Sequence, residues 1–247
     1  MLGWTSSTKR LVESPEAEKI LCLNGLNGLD DVFRVAAHAT SRHPDRGVCP
    51  IELRDLDGGK FTAYFKLNWG RPRWWPRITD IKTRQAFQSL VLHEWQGLER
   101  MKSHGFKVPQ RLALFEEGGR QQRAAIIIRS VAPQATLSDM IRNLDWISRP
   151  ESERTSLIEA ALGILGRIYG LGLAWRGASS RHLFPERDAC GAWTMWLIDC
   201  EGIHPRSSST LARDVDRFLR SVAVDHRKRS QKTRGSERPA VIDRAAA

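Results

Sequence analysis

An aspartate stands directly after an apolar run in the last third of the chain. The run W-T-M-W-L-I covers Trp193 to Ile198, and Asp199 and Glu201 follow it. A carboxylate at the end of a buried strand is costly unless a metal ion or a cation pairs with it. Asp199 is therefore either a ligand-binding carboxylate or an exposed residue at the turn of a hairpin.

A polar turn, W-R-G-A-S-S-R-H, precedes this run and carries Arg176 and His182. Its backbone and side chains could hold a second ligand near Asp199. Each residue also has a structural alternative. Arg176 could form an ion pair with Asp199 or Glu201 instead of binding phosphate, and His182 could be a hydrogen-bonded structural histidine.

A lysine and a glutamate form a second candidate pair. Lys66 lies in the strand-like run K-F-T-A-Y-F-K-L, on the same face as Tyr64. Glu94 falls on the apolar stripe of a predicted helix, where a carboxylate needs a cation, and Lys66 is the candidate. The alternative is that Lys66 is exposed to solvent.

Two different halves must position these side chains. The N-terminal half predicts antiparallel strands, the first two joined at Asp57-Gly58, a pair that tolerates the positive φ of a tight hairpin. The C-terminal half predicts amphipathic helices. The predicted strands cover 48–53, 60–67, 111–115 and 124–128, and the predicted helices cover 18–38 (one or two short helices), 82–103, 137–144, 151–169 and 210–224.

The fold class is therefore α+β, with a small antiparallel-sheet lobe that contains one key helix, followed by a mainly helical lobe. We expect a flexible lead-in over residues 1–18, the sheet lobe over 19–130 and the helical lobe over 131–224. The remaining residues, 225–247, begin D-H-R-K-R-S-Q-K-T-R, and this composition predicts a basic disordered tail.

Charge and composition limit the function classes. The net charge of +11 over 247 residues favours a polyanionic partner, but much of it lies in the predicted tail. No zinc-finger, RNA-recognition or helix-turn-helix pattern is present, so we do not expect nucleic acid to be the partner. No apolar run approaches a membrane span and no signal peptide is evident, which predicts a cytoplasmic protein. Four scattered cysteines argue against a structural zinc.

Five stretches together resemble one known family: N-G-L-N-G-L-D-D-V-F, Y-F-K, H-E-W-Q-G-L-E-R-M-K-S-H-G-F-K-V-P, R-H-L-F and L-I-D-C-E-G. Over roughly residues 23–222 the chain resembles the lipopolysaccharide core kinase family, the Kdo/WaaP and InaA-like group of bacterial proteins. The resemblance implies a two-lobed protein-kinase-like fold and ATP- and Mg²⁺-dependent transfer of phosphate to a core sugar (heptose or Kdo).

By this resemblance, Lys66 binds the phosphates of ATP and Glu94 pairs with Lys66. Backbone groups near Ser130 and Ala132 would meet the adenine. The implied acceptor is an anionic envelope glycolipid or a phosphosugar. The implied location is the cytoplasm, with peripheral contact to the acidic inner face of the bacterial inner membrane as a further expectation.

The same resemblance makes Asp199 and His182 the magnesium ligands, and Arg176 and Asp199 the catalytic residues. The catalytic loop departs from the family pattern, however. Kinases have H-R-D five residues before the loop metal ligand, and counting back from His182 gives W-R-G, with Gly177 at the base position. Glycine cannot accept the hydroxyl proton.

Loss of the base weakens the prediction of an enzyme without removing it. A general base typically contributes about 10²–10⁴-fold, whereas positioning and electrostatics dominate phosphoryl transfer. Glu186, Asp188 or Glu201 could substitute for the missing base. The alternative function is a catalytically impaired pseudokinase that acts as a nucleotide-binding or regulatory module. Nucleic-acid binding, supported by charge alone, is a distant third.

Overall fold

The structure is a computed structural model, described over residues 8–37, 46–70, 89–117, 122–206 and 211–236. The chain divides into two compact units. The first comprises Met1–Ala132 and Trp196–Ile203, and the second comprises Pro133–Met195 and His204–Ala247. Asp199 therefore belongs to the same unit as Lys66 and Glu94.

A five-stranded antiparallel sheet forms the centre of the first unit. The strand order is β1-β4-β5-β3-β2, so β3, which carries Lys66, is flanked on both sides. Gly58 has φ +85° in the turn between β2 and β3, as the Asp57-Gly58 pair predicts. The strands are β1 (Thr8–Val12), β2 (Arg46–Arg54), β3 (Lys60–Gly70), β4 (Arg111–Glu117) and β5 (Gln122–Arg129).

Three helices pack on this sheet: α1 (Pro15–Leu23), α2 (Leu29–Val35) and α3 (Leu90–Ser103). The sheet face that carries Phe65 and Leu67 packs against α1 and α2 in one apolar core. Lys66 lies on the other face and reaches α3. Alternation along β3 therefore separates the structural face from the polar one.

The described part of the second unit contains the helices α4 (Leu137–Arg142), α5 (Glu151–Gly170) and α6 (Leu211–Ser236). The last two are the longest helices of the described residues. The short strands β6 (Leu173–Trp175) and β7 (Leu183–Arg187) also belong to this unit. The strands β8 (Trp193–Leu197) and β9 (Ile203–Pro205) contain the residues at which the chain passes from one unit to the other, and the two-stranded sheets are β6-β9 and β7-β8. Among the described residues, 3₁₀ turns cover Leu144–Trp146 and Ser180–His182 in the second unit and Cys200–Gly202 in the first. No described helix has the length and apolarity needed to cross a membrane.

The predicted α+β class, with an antiparallel sheet preceding helices, is confirmed. All four predicted strands are present, each extended by one to three residues at one or both ends. The predicted break at Gly25 and Gly28 separates α1 from α2. Residues 82–88 of the predicted helix 82–103 lie outside the described residues.

Two predictions about the ends of the chain need correction. The lead-in contains β1 and the start of α1, because β1 pairs with β4 and Ser14 caps α1 through Ala17 N at 3.2 Å. The prediction of a disordered tail is wrong over residues 225–236, which continue α6. Asp225 is only 2% exposed and makes buried polar contacts, so its charge does not signal disorder.

Candidate active site

Lys66 lies between two carboxylates. Its Nζ is 2.5 Å from Glu94 Oε1 and 3.3 Å from Asp199 Oδ1. Only 17% of its side chain is exposed, so the alternative of a solvent-exposed lysine is wrong. Residues 133 positions apart in sequence thus meet within one unit, and the predicted pairing of Lys66 with Glu94 is present.

Burial and charge act in opposite directions on this pair. Burial alone would lower the pKa of Lys66, but the charges of Glu94 and Asp199 outweigh it and raise the pKa. Burial raises the pKa of Glu94, and the Lys66 ammonium opposes that rise. Lys66 therefore stays protonated at neutral pH.

Asp199 has an unusual backbone conformation. It lies between β8 and the 3₁₀ turn Cys200–Gly202, with φ 59° and ψ 50°. Among the described residues it is the one non-glycine with positive φ. Aspartate tolerates this left-handed conformation better than most residues, and such conformations concentrate at functional sites.

A third carboxylate joins the site. One oxygen each from Glu94, Asp199 and Glu201 lie within 4.8 Å of one another. Burial, together with the charges of Asp199 and Glu94, raises the pKa of Glu201 to about 7. Hard oxygen donors in a compact group fit a cation such as Mg²⁺. The sequence had suggested Glu201 only as a substitute base or an ion-pair partner of Arg176.

Close packing fixes α3 against the turn that follows Asp199. A Cβ at Gly97 would lie 2.3 Å from the carbonyl oxygen of Cys200, so only glycine fits there. One turn further along α3, Arg100 Nη1 donates to the carbonyl of Ile203 at 3.2 Å. These contacts set the separation between Glu94 and Asp199.

A buried arginine holds the other side of α3. Arg111, at the start of β4, donates to the carbonyl of Trp95 at 2.9 Å, and its guanidinium lies 4.3 Å from the centroid of the Trp95 ring. It also forms an ion pair with Glu13, which in turn contacts Lys102 of α3 at 2.8 Å. The sequence predicted no role for Arg111 or Gly97, although Gly97 lies in one of the stretches that resemble the family, because both roles depend on how α3 packs.

Comparisons with known proteins identify the family. The model of the lipopolysaccharide kinase (Kdo/WaaP) family matches residues 60–236, well over half of the chain. The chain belongs to this family. A solved structure described as WaaP in complex with acyl carrier protein is similar in fold, with a TM-score of 0.60 and 16% identity over 91% of this chain and 89% of that chain. No curated protein matches this chain.

The predicted resemblance and the protein-kinase-like fold are thus confirmed. The loop that the resemblance singled out lies in the second unit. His182 Nδ1 of this loop hydrogen-bonds to the carbonyl of Gly177 at 2.7 Å. This bond joins the position of the loop metal ligand in the kinase pattern to the position of the catalytic base. Arg176 is exposed, and its carbonyl accepts a hydrogen bond from Arg217. The catalytic role of Arg176 and the metal role of His182 remain predictions.

Two buried carboxylates of α6 bind the loop that contains Gly177 and His182. Asp214 Oδ2 accepts from the amide of Trp175 at 3.0 Å. Asp225 Oδ2 accepts from Ser180 Oγ at 2.6 Å, and Asp225 Oδ1 accepts from Arg142 Nε at 2.8 Å. The loop is therefore anchored at both ends by side chains that lie far away in sequence.

The segment predicted to meet the adenine follows β5. The amide of Ser130 donates to the carbonyl of Thr62 at 2.8 Å, which extends the pairing of β5 with β3. This amide is therefore already used within the protein. A contact with a nucleotide base would fall to the carbonyl of Ser130 or to neighbouring groups such as those of Ala132, and it remains a prediction.

Proposed function

We propose that this protein is an ATP- and Mg²⁺-dependent phosphotransferase that phosphorylates a sugar of the lipopolysaccharide core, with a degenerate catalytic loop. Family membership supports the substrate class. The observation that carries the proposal is the meeting of Lys66 with Glu94 and Asp199 in one unit. A permanently charged ammonium, oriented by a buried glutamate, suits the phosphates of a nucleotide.

The sheet face around Lys66 supports nucleotide binding. Tyr64 lies two residues before Lys66, and Val48 lies opposite Lys66 on β2, so all three share one face. Tyr64 is 39% exposed and Val48 is 46% exposed. Exposed apolar side chains beside a phosphate-binding cation offer a surface on which a base can pack.

The acidic group supports a magnesium requirement. Asp199 and Glu201 would hold the ion, because Glu94 forms the shorter of the two contacts with Lys66, 2.5 Å against 3.3 Å for Asp199. When bound, Mg²⁺ neutralises charge on the transferred phosphate. In this proposal Lys66 binds the nucleotide phosphates and Glu94 keeps the Lys66 ammonium oriented. The two residues position the nucleotide and transfer no proton.

The proposed acceptor is an anionic envelope glycolipid or a phosphosugar, bound at the inner face of the membrane. The net charge of +11 favours such an acceptor. On the second unit, α6 exposes Arg213, Arg220 and Arg227 to solvent, and exposed cations of this kind are attracted to acidic membrane surfaces.

A second candidate function is a nucleotide-binding pseudokinase. The glycine at position 177 favours it, because this residue cannot act as a base. A Cβ at Gly177 would meet Trp175 Nε1 at 3.6 Å, an ordinary contact, so the position has room for a side chain. A base can therefore be introduced there as a test.

The test combines binding and turnover. Purified protein is melted with and without ATP and Mg²⁺, and phosphate transfer to dephosphorylated lipopolysaccharide core is measured in parallel. We expect ligand-dependent stabilisation and transfer, both lost in Asp199→Asn, and faster transfer in Gly177→Asp. Stabilisation without transfer would favour the pseudokinase. Absence of stabilisation by ATP would overturn both functions.

A further inference from the structure

The first residue of β2 shares a sheet face with Lys66. In the register of β2 with β3, Arg46 lies opposite Asn68, and Val48 lies opposite Lys66. Facing residues of an antiparallel pair project to the same side, as do alternate residues of one strand. Arg46 is therefore the diagonal neighbour of Lys66 on the same face, and it is exposed.

Lys66 contacts the acidic group directly, because its ammonium lies 3.3 Å from Asp199 Oδ1. Arg46 belongs to the edge strand on the same sheet face and lies two positions before Val48, the residue opposite Lys66. Two cations on one sheet face therefore flank the place proposed for phosphate and metal.

The sequence before β2 has few glycines. Kinase folds cover the phosphates with backbone amides of a glycine-rich loop, and glycine allows that close approach. Here the segment that enters β2 is A-H-A-T-S-R-H-P-D-R-G, in which Gly47 is the single glycine. Side-chain donors are then needed where other kinases use backbone amides.

We propose that Arg46 is a second phosphate-binding cation, which contacts the phosphates of the nucleotide held by Lys66 and takes the part of the glycine-rich loop. The inference rests on the proposed function and adds a residue to it. A planar guanidinium donates two parallel hydrogen bonds to a phosphate, whereas the Lys66 ammonium acts as a point charge. The two cations therefore complement each other.

Arg54 provides a matched control. It lies on the same strand and the same face, opposite Lys60, and is exposed like Arg46. Eight residues of strand separate the two arginines, about 26 Å. Arg54→Ala removes the same charge from the same strand without removing it from the site.

The experiment measures binding of ATP and of adenosine to the full chain in Mg²⁺ at fixed salt, by displacement of a fluorescent adenine nucleotide. We expect Arg46→Ala to weaken ATP binding by about tenfold or more, the effect of losing a charge-assisted hydrogen bond. Adenosine binding should be unchanged, Arg46→Lys should lie between, and Arg54→Ala should match the wild type.

Three results would overturn the proposal while the proposed function stands. These are unchanged ATP binding in Arg46→Ala, equal weakening of ATP and adenosine, and an equal effect of Arg54→Ala. Failure of the wild type itself to bind ATP would instead remove the proposed function, and this inference with it. Neither arginine is buried, so we expect each variant to fold like the wild type. Thermal melts without ligand check this.

Discussion

Gly97 and Cys200 touch through their backbones. The position of a Cβ on Gly97 would be 2.3 Å from the Cys200 oxygen. Glu94 lies one turn earlier on α3, and Asp199 immediately precedes Cys200. This close approach therefore helps to set the distance between Glu94 and Asp199, the two carboxylates that contact Lys66.

Gly97→Ala should separate α3 from the turn that follows Asp199. The atom in the way is a backbone oxygen, so the helix or the turn must shift. Overpacking of this kind typically costs about 1–3 kcal/mol. We expect a corresponding loss in the free energy of unfolding, measured by urea denaturation, together with weaker ATP binding.

Gly163→Ala is the control for this substitution. Gly163 lies in α5, is exposed, and has no atom within 4 Å of the position of a Cβ. Alanine is a better helix former than glycine by up to about 1 kcal/mol, so this variant should be as stable as the wild type or more stable. Equal stability of the two variants would contradict the close packing at Gly97.

Lys66→Met should destabilise the protein as well as remove nucleotide binding. It leaves the carboxylate of Glu94, 3% exposed, without its cation. Removal of one partner from a buried ion pair typically costs about 3–5 kcal/mol. The measurement is the free energy of unfolding by urea, alongside ATP binding.

The double variant Lys66→Met/Glu94→Gln separates stability from function. With the buried charge removed, most of the lost stability should return, while ATP binding should stay absent because the cation proposed to bind phosphate is missing. If the double variant is no more stable than Lys66→Met alone, Glu94 is not the source of the destabilisation. If the double variant binds ATP, Lys66 is not the phosphate ligand.

Periodicity was sufficient to predict the central pair of the site. Alternation along β3 and the helical stripe of α3 each place one side chain on one face, so Lys66 and Glu94 could be paired without coordinates. The position of Asp199 after an apolar strand followed in the same way. Strand alternation, a helical apolar stripe and the end of an apolar run are local patterns, and they can be read from the sequence alone.

Contacts between distant residues could not be predicted. The approach of Gly97 to Cys200, the hold of Arg111 on α3 and the left-handed backbone of Asp199 depend on how elements pack. The end of α6 also depends on such contacts. A basic, polar composition predicts disorder, but Asp225 is buried by a partner 83 residues away in sequence.

The stability of the protein should depend on pH through Glu201. Its pKa rises from the ordinary 4.5 to about 7 in the folded protein. The folded state therefore holds this proton more tightly than the unfolded chain does, and the free energy of unfolding should fall as pH rises from about 4.5 to 7. Urea denaturation across this range, without metal, measures the effect.

Glu201→Gln provides the comparison for the pH series. Glutamine keeps the shape of the protonated glutamate and cannot ionise, so the contribution of this group to the slope should disappear. The variant should be more stable than the wild type at pH 8, where the wild-type carboxylate is charged beside Asp199. Parallel pH profiles for the two proteins would show that Glu201 does not titrate in this range.

Asp225→Ala should lower the free energy of unfolding of the second unit, and by more than removal of a surface charge on α6 does. The substitution removes the acceptor of Ser180 Oγ and of Arg142 Nε, and it leaves the arginine without its buried partner. A loss of about 3–5 kcal/mol is expected for breaking a buried pair in this way. Urea denaturation, followed by the near-ultraviolet signal of the tryptophans, measures it.

Asp216→Ala is the matched control on the same helix. Asp216 forms an ion pair with Arg220, but the two side chains are 58% and 70% exposed, and exposed pairs contribute under about 1 kcal/mol. A large difference between the two variants would show that residue 225 is part of the folded body. Equal and small effects would mean that the chain from Asp225 onward behaves as the disordered tail that its composition predicts, and that the loop bearing His182 is held without it.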